Sequence, residues 1–562
     1  MSSRKVSLEK KDEGVMPFGG RGLIAKILAA EVDPLTHPLG EDNKLILAPG
    51  VFAETTIPCT SRLSIGTKSP ATGTIRESNV GGPAAEKLGR LGIAAIIIEG
   101  TLTDGPSILK IGFGGTTDIE AAYDLKGKGN YDTAQTLRQR FGSNATILSI
   151  GPAGELLLQA ATIAATDQDG LPARHAGRGG LGAVMGSKGL KAIVLEDDTG
   201  ERVAPCNREL LTESIKEFSA MILKMNKANK QYGTAWLVNF INKCNGLPTR
   251  NFSRGTFDRA DKISGERIAE LIAERGGKTG HACSRGCIIH CSNVFNDSGG
   301  NYVTSGLEYE TVGMMGANLE IDDIDAIARL DRLCGDIGVD TIEIGATMGV
   351  LMESKVLPFG DSAGVIALLE EIPRGTPLGR LIGSGCEIAG RAFGCVRVPA
   401  VKGMAMPSYD PRALHGMGVT VATSPMGPDH TAGPVFSGVG GLDATKPAGQ
   451  IKLSSSIQIT CALLDNFGLC LYTSPVPKTI EFIGKAMKAL YDRDMSRDDL
   501  LILGEEIVKT EHDFNERAGL TPAADDLPAF FRNEPLPEID TVFGVSPDEL
   551  QSVRRNFLQS KE

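Results

Sequence analysis

The run Asp465-Asn-Phe-Gly-Leu-Cys470 ends in a cysteine whose partners lie far upstream, at Cys283, Cys287 and Cys291. Thiolates drawn from one short segment and one distant segment suit a cubane iron–sulfur cluster, because the chain must wrap four ligands around a compact object. This pattern points to electron transfer. Spacing limits how the first three cysteines can be used. In one continuous helix the outer thiols would stand roughly 12 Å apart at about 1.5 Å per residue, too far to share a cluster. The segment is expected to be a loop, with Gly286 supplying backbone angles that other residues avoid. Two other readings compete: ordinary thiols, and zinc. Structural zinc sites usually present paired Cys-x2-Cys knuckles, whereas the spacing here is Cys-x3-Cys-x3-Cys.

The 562 residues suffice for about two to four domains with a large core. A net charge of −11 gives no reason to expect wrapping of nucleic acid or docking on an anionic membrane. No apolar run approaches the roughly 20 residues that span a bilayer, and the first residues lack the apolar centre of a signal peptide. A cytoplasmic protein is expected. Its clustered cysteines fit metal ligation in a reducing compartment better than disulfides. Glycine is abundant, with 69 residues, and aromatics are scarce at 5%. That balance favours a loop-rich interior in which backbone approaches a bulky ligand.

Short β-branched runs at 44–48, 94–99, 107–112, 145–150 and 190–195 alternate with Gly, Pro and Asn and read as strands of a sheet-rich first domain. The polar stretch 196–202 reads as its boundary. From Asn207 the apolar residues recur at three and four, and helices are expected over 209–223, 321–335, 363–371 and 479–491. The Gly/Pro-rich connections between 403 and 450 are long enough to line a site. The resulting expectation is an α+β chain: a β-rich domain at 1–200, then mainly helical domains at 204–400 and 401–562. The glycines at 177–186 could be mistaken for a dinucleotide fingerprint, but no strand is expected just before them, as that motif requires.

Several segments together resemble the tungsten-dependent aldehyde ferredoxin oxidoreductase family. They are Gly19-Gly-Arg-Gly-Leu23, Asp42-Asn-Lys-Leu-Ile46, Arg62 with Thr67-Lys-Ser-Pro70, Ser78-Asn-Val-Gly-Gly82, Gly151-Pro-Ala-Gly-Glu155 and Ala176–Lys188. Farther on come Leu307-Glu-Tyr-Glu310, Gly316-Ala-Asn-Leu319, Tyr409-Asp-Pro-Arg412 and the Asp465–Cys470 run. The resemblance implies a tungsten (or molybdenum) bis-pyranopterin beside one [4Fe-4S] cluster, with magnesium bridging the pterin phosphates. The N-terminal domain would then be the pterin-binding one.

Each pterin carries a phosphate and a polar ring system, which call for backbone amides, arginine and acidic acceptors. By resemblance these are Arg62, Asn79, Gly81, Arg178 and Gly179. Asp465, Gly468 and Leu469 form one pterin motif, and Asp336, Gly338 and Asp340 the second, where Gly335 replaces the usual leading aspartate. Cys283, Cys287, Cys291 and Cys470 are the implied cluster ligands. The family usually shows Cys-x2-Cys-x3-Cys, so Cys283 is displaced, and His281 or His290 could take its place. Glu310 matches the family's general base and His430 the histidine that holds the substrate or an oxo group. If Glu308 and Glu310 lay on one extended strand they would share a face, raising one pKa. The family's lysine after that histidine is replaced by Thr431-Ala-Gly-Pro.

The implied reaction is oxidation of an aldehyde to a carboxylic acid, or its reverse, with ferredoxin or a small iron–sulfur subunit as electron carrier. An aromatic acyl-CoA reductase-type activity is the alternative within the family. A non-catalytic iron–sulfur electron-transfer or assembly subunit is the alternative from another class. Relatives with an iron between two subunits use a Glu-x-x-His pair where this chain has Arg329 and Arg332, so any homodimer is expected to form without bridging iron.

Overall fold

The computed structural model describes residues 1–2, 6–7, 9, 16–112, 116–196, 202–436 and 438–559. The polar boundary read at 196–202 therefore falls largely outside the described residues. Strands β1 (Leu45–Pro49), β2 (Leu63–Lys68), β3 (Ile75–Val80) and β4 (Ile96–Ile98) make an antiparallel sheet in the order β3-β2-β1-β4. A second sheet takes β5 (Ser107–Ile111), β6 (Thr117–Ala121), β7 (Thr146–Ser149), β8 (Ile163–Ala165), β9 (Arg174–Ala176) and β10 (Leu190–Leu195), in the order β6-β5-β10-β7-β8-β9. Only β5 and β10 run parallel in it. The largely apolar run Leu190-Lys-Ala-Ile-Val-Leu195 suits its place inside the sheet, where every residue is buried. Lys191, the exception in that run, extends its ammonium to the Lys128 carbonyl and the Glu155 carboxylate.

A third sheet of β11 (Lys278–His281), β12 (Ser292–Asn296) and β13 (Tyr302–Thr304) holds the cysteine segment as the connection between its first two strands. The segment is a loop, as the spacing requires. Gly286 takes a left-handed φ of 74° within it.

Helices carry most of the remainder. The elements that matter for the site are α1 (Gly20–Glu31), α2 (Tyr309–Met315), α3 (Ile324–Ile337), α4 (Thr341–Glu353), α5 (His415–Thr423), α6 (Gln450–Phe467) and α7 (Arg497–Arg517). Other helices run over Arg208–Met225, Ser362–Leu369 and Pro477–Tyr491, close to the ranges read from periodicity. Side-chain oxygens close several helix starts. Asn207 accepts from the Leu210 N–H, and Ser496 and Asp499 form a reciprocal capping box on α7.

The β-rich and helical parts share one apolar core. Leu23, Ile46 and Phe52 pack with Leu463, Phe467, Ile483 and Ile507, and the Phe52 and Phe467 rings stand 4.8 Å apart. A buried ion-pair network crosses the same seam. Arg21 on α1 grips both oxygens of Glu511 on α7, each at 2.8 Å, and reaches Asp465 on α6 at 3.3 Å.

Four expectations change. β2, β3, β6, β8 and β9 join the strands read from sequence. β3 runs Ile-Arg-Glu-Ser-Asn-Val, a polar strand that is nonetheless largely buried. The 403–450 stretch is not all connection, because the apolar, Gly-containing segment His415-Gly-Met-Gly-Val-Thr-Val-Ala-Thr423 forms the fully buried α5. Glu308 and Glu310 do not share an extended strand: Glu308 is the N-cap residue and Glu310 lies in the first turn of α2. Finally, β9 does precede the 177–186 glycines. It pairs antiparallel with β8, which is not the β-α-β arrangement of a dinucleotide site.

Candidate active site

Along the seam lies a partly open cavity of about 350 Å³ whose wall draws on segments from Cys59 to Tyr472. One side is built of thiols. Cys283, Cys287, Cys291 and Cys470 all line it, together with a fifth, Cys59. Backbone bonds lace these segments together: the Cys59 N–H donates to the Gly286 carbonyl at 3.1 Å, and the Cys470 N–H to the Cys59 carbonyl at 2.9 Å. Burial pushes up the Cys291 and Cys470 thiols, and neighbouring thiols add to it. For four or more such thiols to ionise together, a cation has to lie between them.

Arg62 stands beside this group. Burial opposes its charge, but Cys470, Cys283, Cys291 and Asp465 around it outweigh burial and raise its pKa. Gly81 lets the guanidinium approach, since a Cβ there would lie 2.8 Å from Arg62 Nη1 and 3.2 Å from Cys283 Sγ. Asn79 reaches Asp465 at 3.5 Å. Burial raises the Asp465 carboxyl to about 6 against the pull of Arg21 and Arg62. Glu77 is raised to about 8 by burial and by the Asp465 charge.

Another part of the lining and its support is a lattice of arginines and carboxylates. Arg178 donates to Asp340 at 3.1 Å, to the Ala405 carbonyl at 2.6 Å and to the Pro428 carbonyl. Asp340 also closes the start of α4 by accepting from the Ile342 N–H at 3.0 Å. Arg76 pairs with Asp429. Burial alone would raise the Asp429 carboxyl, but Arg76, His430 and Arg178 outweigh it and hold Asp429 far below the carboxylate range.

Glu310 and His430 meet in the same cavity. Glu310 Oε2 accepts from the Ser408 N–H at 2.8 Å, and Oε1 stands 3.4 Å from His430 Nδ1. Burial raises the Glu310 carboxyl; His430, the Ser408 N–H and Arg178 offset this only in part. Such a group holds its proton nearer neutrality than an ordinary glutamate and suits proton transfer.

Arg62, Asn79, Gly81, Arg178, Asp340, Asp465, Glu310, His430 and the four cysteines thus share one wall. Five expected contacts lie outside it. Asp336 is turned away and accepts from the Tyr131 N–H at 3.0 Å. Gly338 ends α3 in a left-handed conformation against Gly151. Gly179 packs under the Arg76 side chain. Gly468 ends α6 with φ 73° where its backbone meets Gly50, and Leu469 is buried in the core. Gly468 and Leu469 therefore position their neighbours Asp465 and Cys470. His281 and His290, considered as substitute ligands, do not line the cavity either. His281 bonds Asp169 and His290 the Gly280 carbonyl.

Glu77, Arg174, Asp429 and Cys59 belong to the site or its support and were not singled out from sequence. Cys59 is isolated in the chain, so no spacing marks it. The charges of β3 are visible only once β3 is known to be buried.

A group of thiols, an arginine–carboxylate lattice and a glutamate–histidine pair around one cavity define a redox enzyme site. The family profile described as aldehyde ferredoxin oxidoreductase, N-terminal domain, matches residues 1–197, and that described as domains 2 and 3 matches residues 209–560. The chain is 34% identical to the tungsten-containing aldehyde ferredoxin oxidoreductase of Pyrococcus furiosus, over 96% of this chain and 91% of the relative. It is equally similar, with the same coverage, to the protein of that description from Thermococcus kodakarensis. Among solved structures, the active site complex BamBC of benzoyl coenzyme A reductase with 1,5-dienoyl-CoA superposes with a TM-score of 0.80 at 20% identity, covering 100% of this chain and 97% of that one. The chain belongs to the aldehyde ferredoxin oxidoreductase family and is an oxidoreductase. Its α+β architecture, sheets first and helices after, is that of the family.

The residues present suit the family's cofactors. Arg62 Nε, Arg174 Nε, Glu77 Oε1, Glu310 Oε1 and His430 Nδ1 are buried polar atoms that make no hydrogen bond, the last two facing each other at 3.4 Å, and their residues all line the cavity. Unpartnered polar atoms at such a density call for a polar guest.

Proposed function

We propose that this chain holds a tungsten (or molybdenum) bis-pyranopterin and one [4Fe-4S] cluster in the cavity and oxidises an aldehyde to a carboxylic acid, or runs the reverse. Electrons leave singly to ferredoxin or a small iron–sulfur subunit, and the compartment is the cytoplasm. The observation that carries this reading is the placement of the Glu310–His430 pair and the cysteine group in the lining of one cavity, with Arg62 beside the thiols. Cys283, Cys287, Cys291 and Cys470 would hold the cluster. Arg62, Asn79, Gly81, Arg178, Asp340 and Asp465 would hold the pterins, with magnesium between their phosphates. The chain blocks 1–200, 204–400 and 401–562 are the proposed domains.

When bound, the metal–pterin centre supplies oxygen and electron-pair transfer and the cluster supplies one-electron steps. The rest falls to the protein. Aldehyde and water give acid, two protons and two electrons. Glu310 takes a proton from the water that attacks the carbonyl carbon, a role its raised pKa favours near neutral pH. His430, 3.4 Å from Glu310, hydrogen-bonds the substrate oxygen. Arg76 fixes Asp429, the residue before His430, and so orients that loop.

The experiment is elemental analysis of protein purified without air from cells given tungstate and molybdate, followed by an aldehyde screen with viologen dyes. About one tungsten or molybdenum and about four irons per chain, with aldehyde-dependent dye reduction, would support the reading. Iron alone would move it to an electron-transfer subunit. Reduction of an aromatic acyl-thioester without aldehyde turnover would move it to the other branch of the family.

A further inference from the structure

Outside the cavity, one side-chain group has the makings of a second metal site. One ligand atom each of Asp167, Asp169 and His281 lie within 4.8 Å of one another. Two of the three residues are deeply buried, Asp167 at 2% exposure and His281 at 1%. Asp169 is open to solvent and gives an ion a way in. Asp167 Oδ1 is committed to the N–H groups of Asp169 and Leu171, at 2.9 and 3.0 Å. Its Oδ2 is buried and makes no hydrogen bond, which leaves that oxygen available to an ion. His281 directs Nε2 to Asp169 Oδ2 at 2.6 Å, while its buried Nδ1 is also unpartnered.

Charge argues the same way. Two carboxylates converge on one imidazole, and the cation that senses Asp167, Arg174, is already engaged with Glu308, the Ser292 hydroxyl and the Ser305 carbonyl. The Arg138 guanidinium, also near, donates to the Asp169 backbone carbonyl. A buried carboxylate oxygen without a hydrogen bond is unfavourable, and a divalent cation removes that cost.

We infer that Asp167, Asp169 and His281 bind a divalent cation of the Mn²⁺, Fe²⁺ or Zn²⁺ kind, which takes one imidazole nitrogen and carboxylate oxygens and completes its shell with water. The site ties the turn at 167–171 to β11, two residues ahead of Cys283. Its role is to fasten the cysteine loop to the first domain.

Mn²⁺ is the probe, because it prefers nitrogen and oxygen donors and does not compete for the cluster thiolates. Purified holoenzyme is dialysed against EDTA and then titrated with Mn²⁺, with free ion followed by electron paramagnetic resonance. Iron and tungsten per chain are counted in parallel. About one Mn²⁺ per chain is expected to bind tightly, and Asp167→Asn and Asp169→Ala should each weaken it at least about tenfold with iron per chain unchanged. Mn²⁺ should also slow the release of iron on warming in the wild type but not in Asp169→Ala. No tight Mn²⁺ in the wild type, or binding that survives both substitutions, overturns the inference. The exposed Asp169→Ala keeps the test decisive if Asp167→Asn fails to fold.

Discussion

Replacing Glu310 by glutamine isolates the proton-transfer role from everything else that Glu310 does. Glutamine has nearly the same volume, and its carbonyl oxygen can accept the Ser408 N–H that Glu310 Oε2 now accepts at 2.8 Å. Its amide then faces His430, 3.4 Å away. Packing and the start of α2 are kept, while the base is lost. A positioned general base contributes about 10²–10⁴-fold, which corresponds to about 2.7–5.5 kcal/mol of barrier. kcat for aldehyde oxidation should fall by that factor, with KM and the metal content changed little. Burial raises the Glu310 carboxyl in the folded protein, so in wild type the rate climbs as pH rises through that raised value. In Glu310→Gln that acidic limb should disappear. Stability should move the other way. A carboxyl whose folded pKa lies above its unfolded one loses stability as pH rises between the two, so at pH 8 the variant should melt no lower than wild type. The assay is viologen reduction across pH, paired with thermal melting of the same samples. A variant within about threefold of the wild-type kcat, with its acidic limb intact, would refute a proton-transfer role for Glu310.

Cys470→Ala should abolish cluster absorbance and lower iron per chain, as read by visible spectroscopy and iron analysis, and full iron retention would remove Cys470 from the ligand set. Gly81→Ala places a methyl 2.8 Å from Arg62 Nη1 and 3.2 Å from Cys283 Sγ. Because displacement of a positioning group by about 1 Å can cost about 10²-fold, kcat should drop by that order while the melting temperature changes little. Arg21→Met leaves Glu511 and Asp465 without their shared cation, and loss of one partner from a buried pair costs about 3–5 kcal/mol. Its unfolding midpoint in urea should fall accordingly, and an unchanged midpoint would show that the seam does not depend on this pair. Glu77, raised to about 8 by burial and Asp465, should make cofactor-free protein lose stability as pH climbs from about 4.5 to about 8. Glu77→Gln should flatten that slope in pH-dependent melting.

What could be read from sequence divides along physical lines. The helices at 208–225 and 477–491 were legible because one apolar stripe faces one core. The cysteines were legible because three of them sit in nine residues, and their loop followed from helix geometry alone. β3 escaped because Arg76, Glu77 and Ser78 are buried, and Glu77, Ser78 and Asn79 line a polar cavity, which erases the alternation that marks a strand with one wet face. α5 escaped because it is enclosed on all sides, and helical periodicity vanishes when no face is polar. Which aspartate of the 335–340 run turns inward could not be read either. Gly338 reverses the chain after α3, sending Asp336 to Tyr131 and Asp340 to Arg178. The motif marks the segment, while the helix end decides which of its residues faces the cavity.

The cavity wall is recruited from Cys59 through Tyr472, and the bonds that hold it cross between those segments: Cys59 with Gly286 and Cys470, Arg178 with Pro428, Arg21 with Glu511. No contiguous block of the chain is thus an interchangeable part. A hybrid that joins the first 200 residues to the remainder of a relative would have to keep both Arg21 and Glu511, and a backbone course that brings the Gly286 and Pro428 carbonyls and the Cys470 N–H to their partners in the first block.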